Sequence, residues 1–125
     1  MDANRAPSQR QIKVATLLKE IAQDFFQRES SGLSLITVTR AEVSPDLRNA
    51  TFLITVFPEN KEDAALDFAR RQRSDLRRKI MKTMQTKVIP HVEIDIDYGE
   101  KNRQHIDEIL RNEKVGGVVT TKDEE

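Results

Sequence analysis

The chain contains no cysteine and no tryptophan. A disulfide scaffold, a thiol nucleophile and a cysteine-based zinc site are therefore excluded, and an oxidising compartment is neither required nor indicated. The four glycines, Gly32, Gly99, Gly116 and Gly117, lie far from the basic part of the chain and match no phosphate-cradling spacing. Aromatic residues are scarce, five Phe and one Tyr, and most of the Phe fall on apolar positions of predicted elements, so no base-stacking platform is expected. No apolar run exceeds four residues and Met1 to Ser8 holds no apolar stretch. Neither a spanning segment nor a secretory signal is expected, which makes the chain read as cytoplasmic.

A length of 125 residues suits one domain. Leu, Ile, Val and Phe make up 33 of those residues, enough to build a core rather than remain disordered. Charged residues reach 34% against about 25% in an average protein. The net charge of zero conceals an asymmetry: Arg70 to Lys87 carries eight basic residues and one acid, Asp75, whereas Glu93 to Glu125 holds ten acids and five bases. Opposite charges are thus segregated along the chain.

Ser8 with Gln11 predicts a capping box that opens a helix with an apolar stripe of Val14, Leu17, Leu18, Ile21 and Phe25. Leu33 to Val43 and Ala50 to Phe57 alternate as two strands, joined antiparallel through a Ser44–Asn49 turn cluster. After Pro58, Asn60 and Asp63 are expected to start a helix carrying Ala64, Ala65, Leu66, Phe68 and Ala69. Gln72 to Asp75 reads as a break, with Ser74 as N-cap of a further helix that places Leu76, Ile80 and Met84 on one side. Val92, Ile94 and Ile96 then alternate with Glu93, Asp95 and Asp97 as a third strand with one wet face. A short stripe of Ile106, Ile109 and Leu110 suggests a last helical segment. The expected organisation is a flexible N-terminus over 1–7, one domain over 8–110 and a flexible tail over 111–125. A three-stranded sheet covered on one side by amphipathic helices makes a two-layer α+β domain.

The basic stretch is the strongest chemical signal. At about 100° per residue, Arg78, Lys79 and Lys82 point away from the Leu76–Ile80–Met84 stripe, and Arg70, Arg71 and Arg73 precede them in the break. Repeated cations without a tight pocket suit a phosphate backbone, and Arg can grip each phosphate bidentately. Solvated helix faces usually mix signs, whereas one acid stands here among eight bases. The acids of the third strand read as a solubilising face, His91 and His105 as surface residues, and Ser44 and Ser74 as turn and cap residues. No enzyme signature, cofactor or metal site is expected.

Ser8-Gln9-Arg10 running through Lys13-Val14-Ala15 to Glu20-Ile21, Val43-Ser44-Pro45-Asp46-Leu47-Arg48-Asn49-Ala50 leading into Phe52, and Val88-Ile89-Pro90 followed by Val92 to Asp97 occur in order. Together they resemble the ribosome-binding factor A family over roughly Ser8 to Leu110. The resemblance implies a type II KH-like fold, order α-β-β-α-(kink)-α-β, in which a kink replaces the usual glycine loop. The Ala-x-Gly turn common at that kink is absent, and Gln72-Arg73-Ser74 stands in its place. It further implies a non-catalytic factor that binds the immature small ribosomal subunit and its ribosomal RNA and supports RNA processing and growth in the cold. The expected RNA contacts are Arg70, Arg71, Arg73, Arg77, Arg78, Lys79, Lys82 and Lys87, with Arg10 and Lys13 as auxiliary contacts. No membrane or small-molecule partner is expected, and the chain is expected to be a monomer. Two other readings share the same basic face: a KH-like module for other structured RNA, and a protein-interaction module for an acidic partner.

Overall fold

Ser8 and Gln11 cap each other as their spacing demands: the Gln11 amide donates to Ser8 Oγ at 3.1 Å and the Ser8 amide to Gln11 Oε1 at 3.0 Å. From that cap the computed structural model, which describes residues 6–29, 34–85 and 89–116, runs through α1 (Gln9–Glu29), β1 (Leu35–Val43), β2 (Asn49–Phe57), α2 (Glu62–Arg71), α3 (Arg73–Met84), β3 (His91–Ile96) and α4 (Tyr98–Gly116). The buried stripe of α1 is Leu18, Ile21, Ala22, Phe25 and Phe26, with Val14 half-buried. Leu17, expected in the stripe, is exposed, because the helix meets the sheet along the Leu18–Ala22–Phe26 ridge.

The sheet order is β1-β2-β3, with β1 antiparallel and β3 parallel to β2. The α2–α3 pair forms the crossover that a parallel neighbour requires. Phe52 and Ile54 of the central strand are fully buried among Leu18, Leu76, Ile80 and Ile94. The opposite sheet face, with Thr37, Arg40, Glu42, Glu93 and Asp95, is exposed. A bulge at Thr39 shifts the β1 register, so Ile36 and Val38 point inward before it and Ala41 and Val43 after it. The hairpin turn is tied by the Ser44 amide to Asn49 O at 2.9 Å, and Asp46 receives the Arg48 amide at 3.1 Å.

Both sheet edges are closed by side chains. On β1 the Gln23 amide imitates a missing strand, accepting from Val38 N at 2.7 Å and donating to Ile36 O at 3.4 Å, while Gln11 Nε2 donates to Val43 O at 2.9 Å. On β3, Arg70 Nε donates to Ile94 O at 3.0 Å and Asp95 Oδ1 accepts from Ile96 N at 2.8 Å.

Several local expectations change. A 3-10 turn, Glu59–Lys61, precedes α2 behind Pro58, and no side-chain cap opens either segment, so Asn60 and Asp63 do not start the helix. The break between α2 and α3 is the single residue Gln72 (φ −93°, ψ 9°), whose amide reaches Ala69 O at 3.0 Å while its carbonyl accepts from Leu76 N at 2.9 Å. Ser74 lies inside α3 and is not its N-cap, because the backbone of Gln72 already closes the turn. The last helical segment is not short: α4 runs past Leu110 to Gly116, and residues 117–125 of the expected tail, like 1–5 of the expected N-terminus, lie outside the described residues.

Asp97 also departs from the solubilising role. It is 5% exposed, takes the Thr39 hydroxyl, and accepts from the Glu100 amide at 3.0 Å at the start of α4. Arg40 Nε stands 3.7 Å away. Burial opposes ionisation of this carboxyl, but the Thr39 hydroxyl, the Glu100 amide and Arg40 outweigh it and hold its pKa below the usual aspartate value. One carboxylate thus joins the β1 bulge, the end of β3 and the N-terminus of α4.

Candidate nucleic-acid interface

The predicted cations of the basic stretch that the structure describes fall on the end of α2 and along α3, and tertiary folding sorts six of them into two groups. Arg70, Arg73 and Arg77 form a row beside β3. Arg70 stands over Ile94 and Asp95, its Nη2 being 3.7 Å from Asp95 Oδ1. Arg73 Nη1 reaches Glu93 Oε1 at 3.2 Å, and the other Glu93 oxygen lies 2.9 Å from His91 Nε2. Arg77 donates to Pro90 O at 3.1 Å and Ile89 O at 3.4 Å. Positions 73 and 77 share a helix face, and one turn of α3 therefore spans the beginning of β3 and the residues leading into it.

Arg78, Lys79 and Lys82 form the second group, around a depression of about 630 Å³ whose lining includes Phe25, Asp75, Met81 and Thr83. Arg78 pairs with Asp75 one turn earlier, and Lys79 Nζ meets Asp24 of α1 at 2.8 Å. Lys82 is exposed and has no hydrogen bond or ion pair among the described residues. Arg71 pairs with Asp67 along α2. Lys87 lies outside the described residues. Arg10 and Lys13 are exposed near the start of α1; Lys13 is eleven residues before Asp24, about 16 Å along the helix, so the two auxiliary cations stand apart from the α3 groups.

The contrast between one acid and eight bases does not survive folding. Asp24, Asp67, Asp75, Glu93 and Asp95 supply carboxylates to five of the cations. Four of these pairs join side chains 43–68% exposed, so each contributes about 0–1 kcal/mol and is screened by salt, whereas Lys79, expected to point outward, is half-buried against Asp24. The face therefore remains open to a stronger polyanion. The β3 acids and His91 belong to this surface and were missed as such. Their signal was the i, i+2 alternation of Glu93 and Asp95, but only the crossover reveals which residues they face. Among the described residues no cluster of His, Asp and Glu could hold a metal ion, and no helix is long and apolar enough to cross a membrane.

Three helices on one face of a β1-β2-β3 mixed sheet, with a one-residue kink inside the crossover and cations along the second crossover helix, define a small α+β domain of the KH-like class. Solved structures share this fold. The crystal structure of ribosome-binding factor A from Thermus thermophilus superposes with a TM-score of 0.59 at 20% identity, covering 67% of this chain and 92% of that one. A solution structure from Thermotoga maritima, described as a putative ribosome binding factor A, gives 0.59 at 20% identity over 73% and 90%. A Thermus thermophilus homology model fitted into the cryo-EM map of a 30S–RbfA complex gives 0.57 at 21% identity over 63% and 86%.

The family model described as ribosome-binding factor A matches residues 10–110. The ribosome-binding factor A of Parvibaculum lavamentivorans is 33% identical, with 98% of this chain and 91% of that protein aligned; that of Thermomicrobium roseum is 31% identical, with 84% of each aligned. The chain belongs to the ribosome-binding factor A family.

Proposed function

We propose that this chain is a non-catalytic factor that docks on the immature small ribosomal subunit through the α2–α3 face and favours maturation of its ribosomal RNA. The observation that carries the reading is the pair of exposed cations Arg78 and Lys82 on α3, where Lys82 lacks a partner among the described residues and Arg78 holds a pair that salt readily weakens, with the half-buried Lys79 between them tied to Asp24. Membership of a family named for ribosome binding, and likeness to a protein fitted into a 30S complex, support the choice of target. With few exposed aromatics, recognition rests on phosphate spacing and shape rather than on base stacking. Arg73, Arg77, Arg78 and Lys82 are the principal phosphate contacts. Neutralising four to six phosphates of single-stranded character gives a slope of log K against log salt of about −3 to −4.

Co-sedimentation of the full chain with purified small subunits tests this directly. Arg78→Glu with Lys82→Glu, verified as folded, is expected to abolish co-sedimentation. Unchanged co-sedimentation, or a salt slope near zero, overturns the reading. Loss of the bound complex on nuclease treatment separates it from docking on an acidic protein.

A further inference from the structure

Glu93 and Asp95 project from the same face of β3, about 7 Å apart as alternate strand residues must be. That interval is of the order of the separation between neighbouring phosphates on an extended nucleic-acid strand. Each acid faces an arginine of the crossover: Arg73 reaches Glu93 at 3.2 Å and Arg70 stands 3.7 Å from Asp95. The four side chains are 43–55% exposed, so water and a competing anion reach both pairs. The Arg70 guanidinium is positioned independently of its acid, through Nε on the Ile94 carbonyl. Its terminal nitrogens can therefore exchange one anion for another without the side chain losing its anchor. Arg77, fixed on the Pro90 and Ile89 carbonyls, continues the row.

We propose that Arg70 and Arg73 form a two-phosphate site along β3, and that Glu93 and Asp95 are resident counter-anions displaced by two successive phosphodiesters of an RNA strand. This rests on the RNA-binding reading above and goes beyond it by assigning to these two arginines an internal competitor, Glu93 and Asp95, spaced for two phosphates. The exchange replaces one singly charged oxyanion by another at each arginine, so no proton needs to move. An exposed pair is worth little, and each resident acid meets its arginine through a single nitrogen, whereas a phosphate free to move can take two. The displaced carboxylates remain beside the strand and repel it. They thereby weaken attachment to any polyanion that cannot engage both arginines together.

The test uses the full chain and a fluorescent single-stranded RNA oligonucleotide, with binding followed by anisotropy at fixed salt. Glu93→Gln with Asp95→Asn is expected to tighten binding about 2- to 30-fold, the range set by releasing two exposed pairs. Arg70→Gln with Arg73→Gln is expected to weaken binding, and to reduce the gain obtained when the acid substitutions are added. The charge exchange Arg73→Glu with Glu93→Arg conserves net charge and the opportunity to pair; it is expected to bind more weakly because the row is broken. Unchanged or weaker binding by the folded acid-neutralised variant overturns the proposal, as does unchanged binding by the charge-exchanged one. If Arg78→Glu with Lys82→Glu abolishes binding while the acid substitutions change nothing, the two-phosphate site falls and the wider reading stands. If the wild-type chain binds neither the oligonucleotide nor small subunits, both fall.

Discussion

The two edges of the sheet are closed by opposite chemistries. At β1 a neutral amide, Gln23, supplies both a donor and an acceptor to the strand, and Gln11 supplies a further donor. At β3 the work is done by ions: Arg70 on a carbonyl, Asp95 on an amide, and Arg73 and Glu93 paired just outside. Neutral hydrogen bonds offer an arriving polyanion nothing to exchange, whereas charged pairs in water can be traded for another charge at little cost. The first edge therefore serves the fold, and the second serves both the fold and the surface that carries the proposed function.

That contrast breaks most visibly at Gln23. Gln23→Leu removes both strand-imitating bonds and is expected to lower stability by about 2 kcal/mol, read from the denaturant midpoint at unchanged slope. Asp97, where the two edges are tied together, comes next. Asp97→Asn is expected to cost about 1–2 kcal/mol near neutral pH. Its carboxyl is depressed in the folded chain, so the ionised form stabilises above the unfolded value of about 3.9 and that contribution disappears as pH falls through the lower folded value. Acid titration should accordingly show a flatter loss of stability in the variant below about pH 4. A wild-type and variant pair with equal acid limbs would contradict the assignment.

Smaller effects are expected on the ionic side. Arg73→Gln should change stability by less than about 1 kcal/mol, and raising salt should narrow even that difference. The same salt change should leave the cost of Gln23→Leu nearly constant, which sharpens the comparison between the edges. At the C-terminus of α3, Gln85 adopts a left-handed conformation (φ 55°, ψ 37°) and its amide bonds to Met81 O. Gln85→Gly is expected to stabilise the chain by at most about 0.5–1 kcal/mol, seen as a small rise in Tm.

The element order was readable from the sequence because each segment carries its own period: Leu76–Ile80–Met84 at helical spacing, Val92–Ile94–Ile96 at strand spacing, and Ser8 with Gln11 at cap spacing. The details that changed depend on neighbours distant in the chain. Leu17 lies beside the apolar stripe, but the sheet sits closer to the ridge through Leu18 and Ala22. Thr39 looks like an ordinary outward strand residue until pairing with β2 leaves it unmatched. Ser74 has the chemistry of a cap, yet Gln72 lets the backbone restart the helix earlier. The cations were equally visible, but the partners that neutralise them, Asp24, Glu93 and Asp95, stand far from them in sequence.

Periodicity, capping chemistry and the run of basic residues are local properties, so the amino-acid order alone determined the succession of helices and strands and the helix surfaces on which positive charge would appear. Which carboxylate meets which guanidinium, how the strand edges are sealed and where Asp97 fastens α4 were decided only by the tertiary structure. The physical reason is that electrostatic and hydrogen-bond energies depend on separation in space, and a parallel crossover brings together side chains whose separation along the chain gives no measure of that distance.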